Sequence, residues 1–386
     1  MKTHTLLKTP LTVLNAAALL IVVLIGNLYA QPSSAKEFSA YYLGNSLTRN
    51  IPLERLAELF ESAGYDYGYG SQLGGGHRLE QLLVMRNHGN KPGEGRYNLF
   101  GNGDFGSYEN AFKNHKWNAV VLQPYHDELD KEHETMNHWP WHDSGVIQAA
   151  DAFIAYARGE TSTDGDRWDQ RNPNTGHAAS DTFYIYATWP GAERALEAGG
   201  YSEQWAGDYT PIPDPKIQRA EHNAAYFEQL VEALNERRPD LPNKVRLIPS
   251  GHVMAALDKK IRAGELPGIA EFFERNMDYY KKARGDKSPF NPDSFQQDKG
   301  ILNVYADGVH MNDQPHNGKT SGTIGSYITA LTIFTTLTGE NPVGLTVRPY
   351  EMFDADKDAE LVKAIQETVW EVVTNMPETG VRASAL

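Results

Sequence analysis

Short apolar runs alternate with amphipathic segments along most of this chain. The runs predict strands at residues 40–43, 65–69, 119–122, 182–188, 245–249 and 301–305. The segments between them predict helices at residues 51–63, 78–86, 146–157, 217–237, 252–263 and 320–337. This alternation favours an α/β fold in which helices cover both faces of a central parallel sheet.

Long polar insertions separate these elements at residues 89–116, 161–180, 191–215 and 264–300. They are rich in Gly, Asn, Asp and Pro, and we predict them to be loops. The chain has 386 residues, 40% of them hydrophobic, which is enough for a large core. We see neither an internal repeat nor a clear linker, and therefore predict a single domain over residues 31–386.

Residues 1–30 differ in composition from the rest of the chain. Lys2 and Lys8 precede an uncharged apolar run over residues 11–25, and Ala30 offers a small residue for cleavage. This pattern is typical of a secretory signal peptide, and the run is shorter than the roughly 20 residues of a membrane span. We predict a secreted or periplasmic protein with no stable membrane association once the leader is removed; a retained anchor is the alternative.

Charge and cysteine content narrow the function classes. The formal net charge is −14 at pH 7, which makes the chain a poor candidate for binding nucleic acid. The absence of cysteine excludes disulfides, thiolate metal sites and a lipid-modified cysteine anchor.

Ser46 follows the first predicted strand, at the small-residue turn Gly44-Asn45-Ser46. A strand that ends in such a turn and leads into a helix places backbone N–H groups beside the serine, which suits a nucleophile and the oxyanion that it creates. The competing interpretation is that Ser46 simply caps the helix.

Asp307 and His310 supply a candidate base. Their spacing lets the carboxylate accept from imidazole Nδ1–H, which leaves the other ring nitrogen to take a proton from a hydroxyl. Serine needs such a base because it is a weak nucleophile on its own. Taken alone, an Asp-x-x-His sequence is equally compatible with a surface turn and a solvated histidine.

Oxyanion donors are expected at the ends of two further strands. The Gly74-Gly75-Gly76 run follows the second predicted strand, and Gln123 follows the third. Because ligands of parallel sheets bind beyond the carboxyl ends of the strands, these groups are predicted to converge with Ser46 and Asp307. A flexible glycine turn and a structural glutamine are the plainer alternatives.

Gly44-Asn45-Ser46-Leu47-Thr48, Gly75 and Asp307-x-x-His310 together resemble the first, second and last motifs of the SGNH (GDSL-type) hydrolases. The resemblance runs from about residue 40 to residue 339. It implies a flavodoxin-like three-layer α/β/α fold and an ester hydrolase with nucleophile Ser46, base His310 and orienting Asp307. It also implies oxyanion donors at Ser46, Gly75 and a third side chain.

The third motif departs from the family pattern. The family usually has Gly-x-Asn-Asp, whereas this chain has Val121-Leu122-Gln123-Pro124-Tyr125. We interpret Gln123 as a substitute donor, because its amide also carries an NH₂ group. A branch of the family with a Gly-Asn-Ser-Leu start and a Val-Leu-Gln third motif is similar in this respect.

Tryptophans are the candidate substrate-binding side chains. Trp139 and Trp141 lie in the His-rich segment 126–143, and Trp189 follows the fourth predicted strand. Each offers a stacking surface for a sugar or acyl group, with core packing as the alternative. His138 and His142 have a spacing seen in zinc sites, but Pro140 between them disfavours a regular helix, so we predict no metal.

These patterns predict an exported serine esterase that needs no cofactor and acts on an acyl ester, most simply an O-acetyl group, of a carbohydrate. Two alternatives remain open: a lipase or esterase acting on small acyl esters, and a carbohydrate-binding protein on the same scaffold with an idle triad.

Overall fold

The computed structural model describes part of the chain. The described residues are 35–85, 99–100, 105–125, 129, 145–160, 179–209, 211–212, 219–220, 222–284, 293–312 and 322–383. The predicted signal peptide and the tryptophans Trp139 and Trp141 lie outside them.

A parallel β-sheet forms the centre of the described fold. Its strands, in spatial order, are β3 (Leu99–Phe100), β2 (Tyr65–Gly74), β1 (Lys36–Gly44), β4 (Ala119–Leu122), β5 (Phe183–Tyr186) and β8 (Arg246–Ile248). Five of these six described strands are parallel, and β3 pairs antiparallel with β2 at one edge. Counted along the chain, the parallel strands have the order 2-1-3-4-5 of flavodoxin-like sheets, so the predicted fold class is confirmed.

Two further strands, β6 (Pro211–Ile212) and β7 (Arg219–Ala220), pair separately from the sheet. The helices that the structure describes are α1 (Ser46–Arg49), α2 (Leu53–Ser62), α3 (Leu79–Met85), α4 (Tyr108–Asn114), α5 (Val146–Arg158), α6 (Ala192–Glu197), α7 (Tyr201–Trp205), α8 (Ala224–Arg237), α9 (Ser250–Ala263), α10 (Ile269–Arg284), α11 (Ile324–Thr338) and α12 (Ala359–Asn375). None of them is long and apolar enough to span a membrane.

Two helical layers cover the sheet. Helices α2, α9, α11 and α12 contact one another on one face, and α3, α4, α5 and α8 do so on the other. Neighbouring residues of β1 show this division. Tyr41 packs edge-on against Phe112 of α4. The hydroxyl of Tyr42 lies 2.6 Å from that of Tyr67, whose ring stacks on Phe60 of α2. Side chains alternate along a strand, so β1 is buried on both faces, as a parallel strand requires.

Helix α11 is the most deeply buried helix of the described fold. Every residue from Ile324 to Leu337 is buried, and a capping box between Thr323 and Ser326 fixes the start of the helix. Thr329, Thr332 and Thr336 bond to preceding carbonyls; for example, Thr332 Oγ1 donates to Ile328 O at 2.8 Å. A helix that is buried all round must satisfy its polar side chains internally in this way.

The sixth predicted strand, at residues 301–305, is wrong. The segment Gln297–Val304 forms 3₁₀ turns that are broken at Gly300, whose φ of 53° lies in the left-handed region. The buried carboxylate of Asp258 in α9 accepts from Ile301 N at 2.8 Å, which holds the segment against a helix instead of the sheet edge. An apolar run of this length does not by itself distinguish a strand from other buried segments.

Other boundaries also differ from the prediction. The helix predicted at 217–237 begins at Ala224, because Asn223 Oδ1 accepts from Tyr226 N at 2.9 Å and caps it there, while Arg219–Ala220 belongs to β7. Three of the polar insertions that we predicted to be loops contain helices, namely α4, α6 with α7, and α10. Helices α4, α6 and α7 are short, and α10 is polar overall although its apolar residues share one face.

Candidate active site

The turn formed by residues 44–46, called the Ser46 turn below, joins β1 to α1. Asn45 caps α1: its Oδ1 accepts from Leu47 N at 2.9 Å, and Ser46 is the first helical residue. A Cβ on Gly44 would lie 2.3 Å from Thr48 Oγ1 and 2.8 Å from Gln123 Oε1, so only glycine fits there. Asn45, and not Ser46, is therefore the capping residue, and the Ser46 hydroxyl is left for another partner.

That partner is His310. Its Nε2 lies 3.0 Å from Ser46 Oγ, and its Nδ1 lies 2.8 Å from Asp307 Oδ2. An ionised carboxylate only accepts, so Nδ1 carries the proton and Nε2 accepts from the serine hydroxyl. The structure thus brings together all three residues proposed as a triad, although Ser46 and His310 are 264 residues apart in the sequence.

Asp307 is held as a carboxylate. Its Oδ1 accepts from Val309 N at 2.8 Å and from His310 N at 2.7 Å. Burial alone would raise the pKa of Asp307, but the hydrogen bonds and the charge of His310 outweigh it and lower the pKa below its ordinary value. The His310 side chain is 15% exposed and that of Asp307 is 36% exposed, so solvent reaches the pair.

The segment after β5 supports residues 307–310, called the Asp307 turn below. Trp189 Nε1 donates to Val309 O at 2.7 Å, and Ala192 N donates to Gly308 O at 2.8 Å. Trp189 is fully buried. It therefore lies behind the turn, and our expectation that it lines the substrate pocket does not match its position.

Gln123 also has a position different from the predicted one. Its Oε1 accepts from Asn45 N at 2.9 Å and from Thr48 Oγ1 at 3.1 Å, and its Nε2 donates to Pro124 O at 2.6 Å. The side chain has 0% exposure. In this arrangement Gln123 anchors the Ser46 turn from beneath, and its amide does not point at an open oxyanion position.

Gly75 lies in a tight turn over residues 74–77, the glycine turn. His77 N donates to Gly74 O at 3.0 Å, and Gly76 has a φ of 68°, which the third residue of a type II turn requires. Because β1 and β2 pair with Gly44 opposite Leu73, this turn emerges beside the Ser46 turn. Asn45 Nδ2 joins the two turns by donating to His77 O at 3.1 Å.

Two backbone donors remain available at this edge of the sheet. Among the described residues, neither Ser46 N–H nor Gly75 N–H donates to an acceptor. Helix α1 has only four residues, so its dipole is small and the donors act as individual groups. They are the N–H groups that the sequence suggested for an oxyanion.

Two further polar side chains, Arg78 and His252, have structural partners. Arg78 pairs with the buried Glu80, its Nε lying 2.9 Å from Glu80 Oε1, and His252 Nε2 lies 3.1 Å from Glu228 Oε1. Trp139 and Trp141 cannot be placed, because they lie outside the described residues. Within the described part of the chain, no three His, Asp or Glu side chains are grouped to hold a metal ion.

Sequence reasoning missed the roles of two asparagines that hold the site together, Asn45 as the cap of α1 and Asn50. Asn50 is 1% exposed and contacts the backbone on both sides of the site. A polar residue at the end of a short helix is ordinary, so the sequence alone offers no signal for this role.

Comparisons with known proteins add little to this geometry. No family model matches the chain, and no curated protein matches it. A crystal structure of a DUF4886 family protein from Bacteroides uniformis ATCC 8492 aligns over 89% of this chain and 96% of that chain, at 16% sequence identity and a TM-score of 0.44. A similarity at this level carries no functional argument, and the fold class stands on the strand order described above.

Proposed function

We propose that this protein is a serine esterase of the SGNH type. The observation that carries the proposal is the chain of contacts from Ser46 Oγ to His310 Nε2 and from His310 Nδ1 to Asp307 Oδ2, at 3.0 and 2.8 Å. These distances lie within the hydrogen-bond reach that a nucleophile, its base and its orienting group require. The N–H groups of Ser46 and Gly75 lie in adjacent turns and have no acceptor among the described residues, which supports the same function.

The reaction begins with acylation. Ser46 Oγ attacks the ester carbonyl carbon while its proton moves to His310 Nε2, and the carbonyl π electrons move to oxygen. Ser46 N–H and Gly75 N–H donate to this oxyanion. Its collapse breaks the bond to the alkoxy oxygen, which leaves as an alcohol with the proton from His310.

Water completes the cycle. His310 takes a proton from water as the water oxygen bonds to the acyl carbon, and a second oxyanion forms at the same donors. Breaking the bond between that carbon and Ser46 Oγ releases the acid, and His310 returns the proton to Ser46. Asp307 stabilises the imidazolium in both halves of the reaction and stays ionised.

The proposed substrate is an O-acetyl ester of a carbohydrate outside the cell. An exported acidic chain with aromatic residues in its polar insertions favours this class over polyanions. This part of the proposal depends on the sequence more than on the geometry, so the experiment below separates the substrate from the reaction.

The test is acetate release from a panel of acetylated polysaccharides and from a small chromogenic acetate. We expect the wild type to release acetate and Ser46→Ala to lose this activity by several orders of magnitude, as for a triad nucleophile. Ser62→Ala is the matched control, since the Ser62 hydroxyl donates to Leu59 O within its own helix α2. Equal activity in Ser46→Ala and wild type would overturn the nucleophile, and acetate release from the chromogenic ester alone would overturn the carbohydrate substrate.

A further inference from the structure

The side chain of Asn50 joins the two halves of the site. It lies at the end of α1, where its Nδ2 donates to Ser46 O at 3.2 Å. Its Oδ1 accepts from Met311 N at 2.7 Å and from Asn312 N at 3.2 Å. One buried amide therefore connects the backbone of the nucleophile to the backbone that directly follows His310.

Other hydrogen bonds hold the Asp307 turn from different directions. The Asp307 turn closes on itself, because Ala306 N donates to His310 O at 2.7 Å, and Trp189 holds it from behind. Those contacts fix the shape of the turn and tie it to the segment after β5, whereas the Asn50 amide ties it to α1. Asn50 is the described side chain whose hydrogen bonds run from the Ser46 backbone to the residues beyond His310.

The amide suits this role better than other polar groups. The position needs a donor toward a carbonyl and, at the same time, an acceptor toward two N–H groups. The side-chain amides of Asn and Gln offer both in one plane. Its burial strengthens these bonds and makes the loss of any partner costly.

We propose that Asn50 is a positioning residue that sets the separation of Ser46 Oγ and His310 Nε2. This inference rests on the proposed esterase function for its kinetic test. Removing the amide leaves nucleophile, base and orienting carboxylate in the chain but frees the Asp307 turn to move relative to α1. A displacement of about 1 Å at reacting groups costs on the order of 10²-fold in rate.

The test compares Asn50→Ala, Asn50→Asp and Asn235→Ala. Asn235 is the matched control: its amide also bonds a remote backbone through both ends, donating to Val245 O at 3.0 Å and accepting from Val245 N at 2.8 Å. Val245 precedes β8, so this contact lies at the amino ends of the parallel strands, opposite the site at their carboxyl ends. Asn50→Asp keeps the acceptor for the two N–H groups and loses the donor to Ser46.

We expect Asn50→Ala to lower kcat by about 10- to 100-fold while KM stays within about 3-fold, with Asn50→Asp intermediate and Asn235→Ala unchanged in kcat. Rates are expressed per folded molecule, with the folded fraction measured by circular dichroism. A purely structural role would lower the stability of Asn50→Ala and leave its kcat unchanged, which would overturn the inference.

A second readout does not need turnover. The side-chain resonances of His310 are identified in spectra of ¹⁵N-histidine-labelled protein by comparison with His310→Asn. We expect them to shift in Asn50→Ala and to remain in place in Asn235→Ala. If the wild type proves inert on every ester, the proposed function fails and this readout alone decides: unmoved His310 resonances in Asn50→Ala overturn the positioning role, and shifted ones support it.

Discussion

Two turns in this protein have the same local chemistry and different surroundings. In the Asp307 turn, Oδ1 accepts from the N–H groups two and three residues ahead, and Oδ2 accepts from the side chain of His310. In the turn over residues 354–357, the Asp354 turn, Oδ1 accepts from Asp356 N and Lys357 N at 3.2 Å each, and Oδ2 accepts from Lys357 Nζ at 2.7 Å. Both are aspartate turns followed three residues later by a cationic or titratable side chain.

The difference lies in what faces each turn. The Lys357 side chain is 64% exposed, and that of His310 is 15% exposed and 3.0 Å from Ser46 Oγ. The side-chain hydrogen bond from Lys357 lowers the pKa of Asp354. Burial raises the pKa of Asp307, but the hydrogen bonds from His310 and Val309 outweigh it and lower the pKa below its ordinary value. An Asp-x-x-basic turn is thus a stable local structure. Its chemistry is decided by the part of the fold that packs against it.

The largest effect on kcat should come from replacing the Asp307 carboxylate, with the Asp354 carboxylate as the matched comparison. Asp307→Asn lets the imidazole adopt the wrong tautomer, and we expect kcat to fall by about 10²- to 10⁴-fold. Asp354→Asn makes the same chemical change in the matched turn and should leave kcat unaltered. Steady-state kinetics on the chromogenic acetate measures both, and similar losses in the two variants would show that the comparison is wrong.

A smaller effect should follow from loosening the support behind the Asp307 turn. Trp189→Phe keeps most of the buried ring but leaves Val309 O without its donor, which costs about 1–3 kcal/mol of unfolding free energy. We expect kcat to fall by roughly 10-fold as the turn becomes less well positioned. Denaturant titration and kinetics are measured together.

Trp205→Phe is the matched control for this change. Trp205 is also buried, at 3% exposure, but its indole N–H has no hydrogen-bond partner in the described part of the chain. The substitution should therefore preserve kcat and should not lower stability through a lost hydrogen bond. Equal losses in both variants would assign the effect to ring packing instead of the bond to Val309.

The prediction with the smallest consequence for kcat concerns His222, which lies next to Trp189, and its effect appears in stability alone. His222 Nδ1 lies 3.2 Å from Thr188 Oγ1 and 3.4 Å from Trp189 O, and burial lowers the pKa of His222 to about 4. An unfolded histidine has a pKa near 6.5, so between these values the unfolded state binds the proton and the folded state does not. The unfolding free energy should fall as the pH drops through this window, by on the order of 3 kcal/mol.

Denaturant titrations between about pH 7 and about pH 4 test this expectation. His222→Gln removes the titrating ring and should flatten the slope in that window, whereas the matched substitution at the exposed His115 should retain it. An unchanged slope in His222→Gln would show that burial of His222 does not control acid stability.

The sequence predicted the parts of this fold that depend on local pattern. Four buried runs gave β1, β4, β5 and β8 because strands buried on both faces are nearly continuous in apolar residues. The Ser46 turn was recognisable because the local geometry of such a turn requires its glycine and favours its asparagine. The partnership of Asp307 with His310 was predictable for the same reason, since three residues of spacing suffice.

The rest depends on contacts between distant residues, which no local pattern encodes. The run at 301–305 looked like a strand, but Asp258 and the left-handed Gly300 turn it away from the sheet. Trp189 and Gln123 were recognised as important and given the wrong orientation, because a residue at a strand end can face the pocket or the interior. Asn50 was missed because its partner Met311 lies 261 residues away.

The separation between Ser46 and His310 has a consequence for the folding chain. Contacts between residues this far apart form slowly, because a long loop must close before they add stability. The serine has no base until the segment after α10 docks against the end of α1. A nascent or partly folded chain therefore carries Ser46 without His310 beside it, and under the proposed function ester hydrolysis would return on refolding only after this docking.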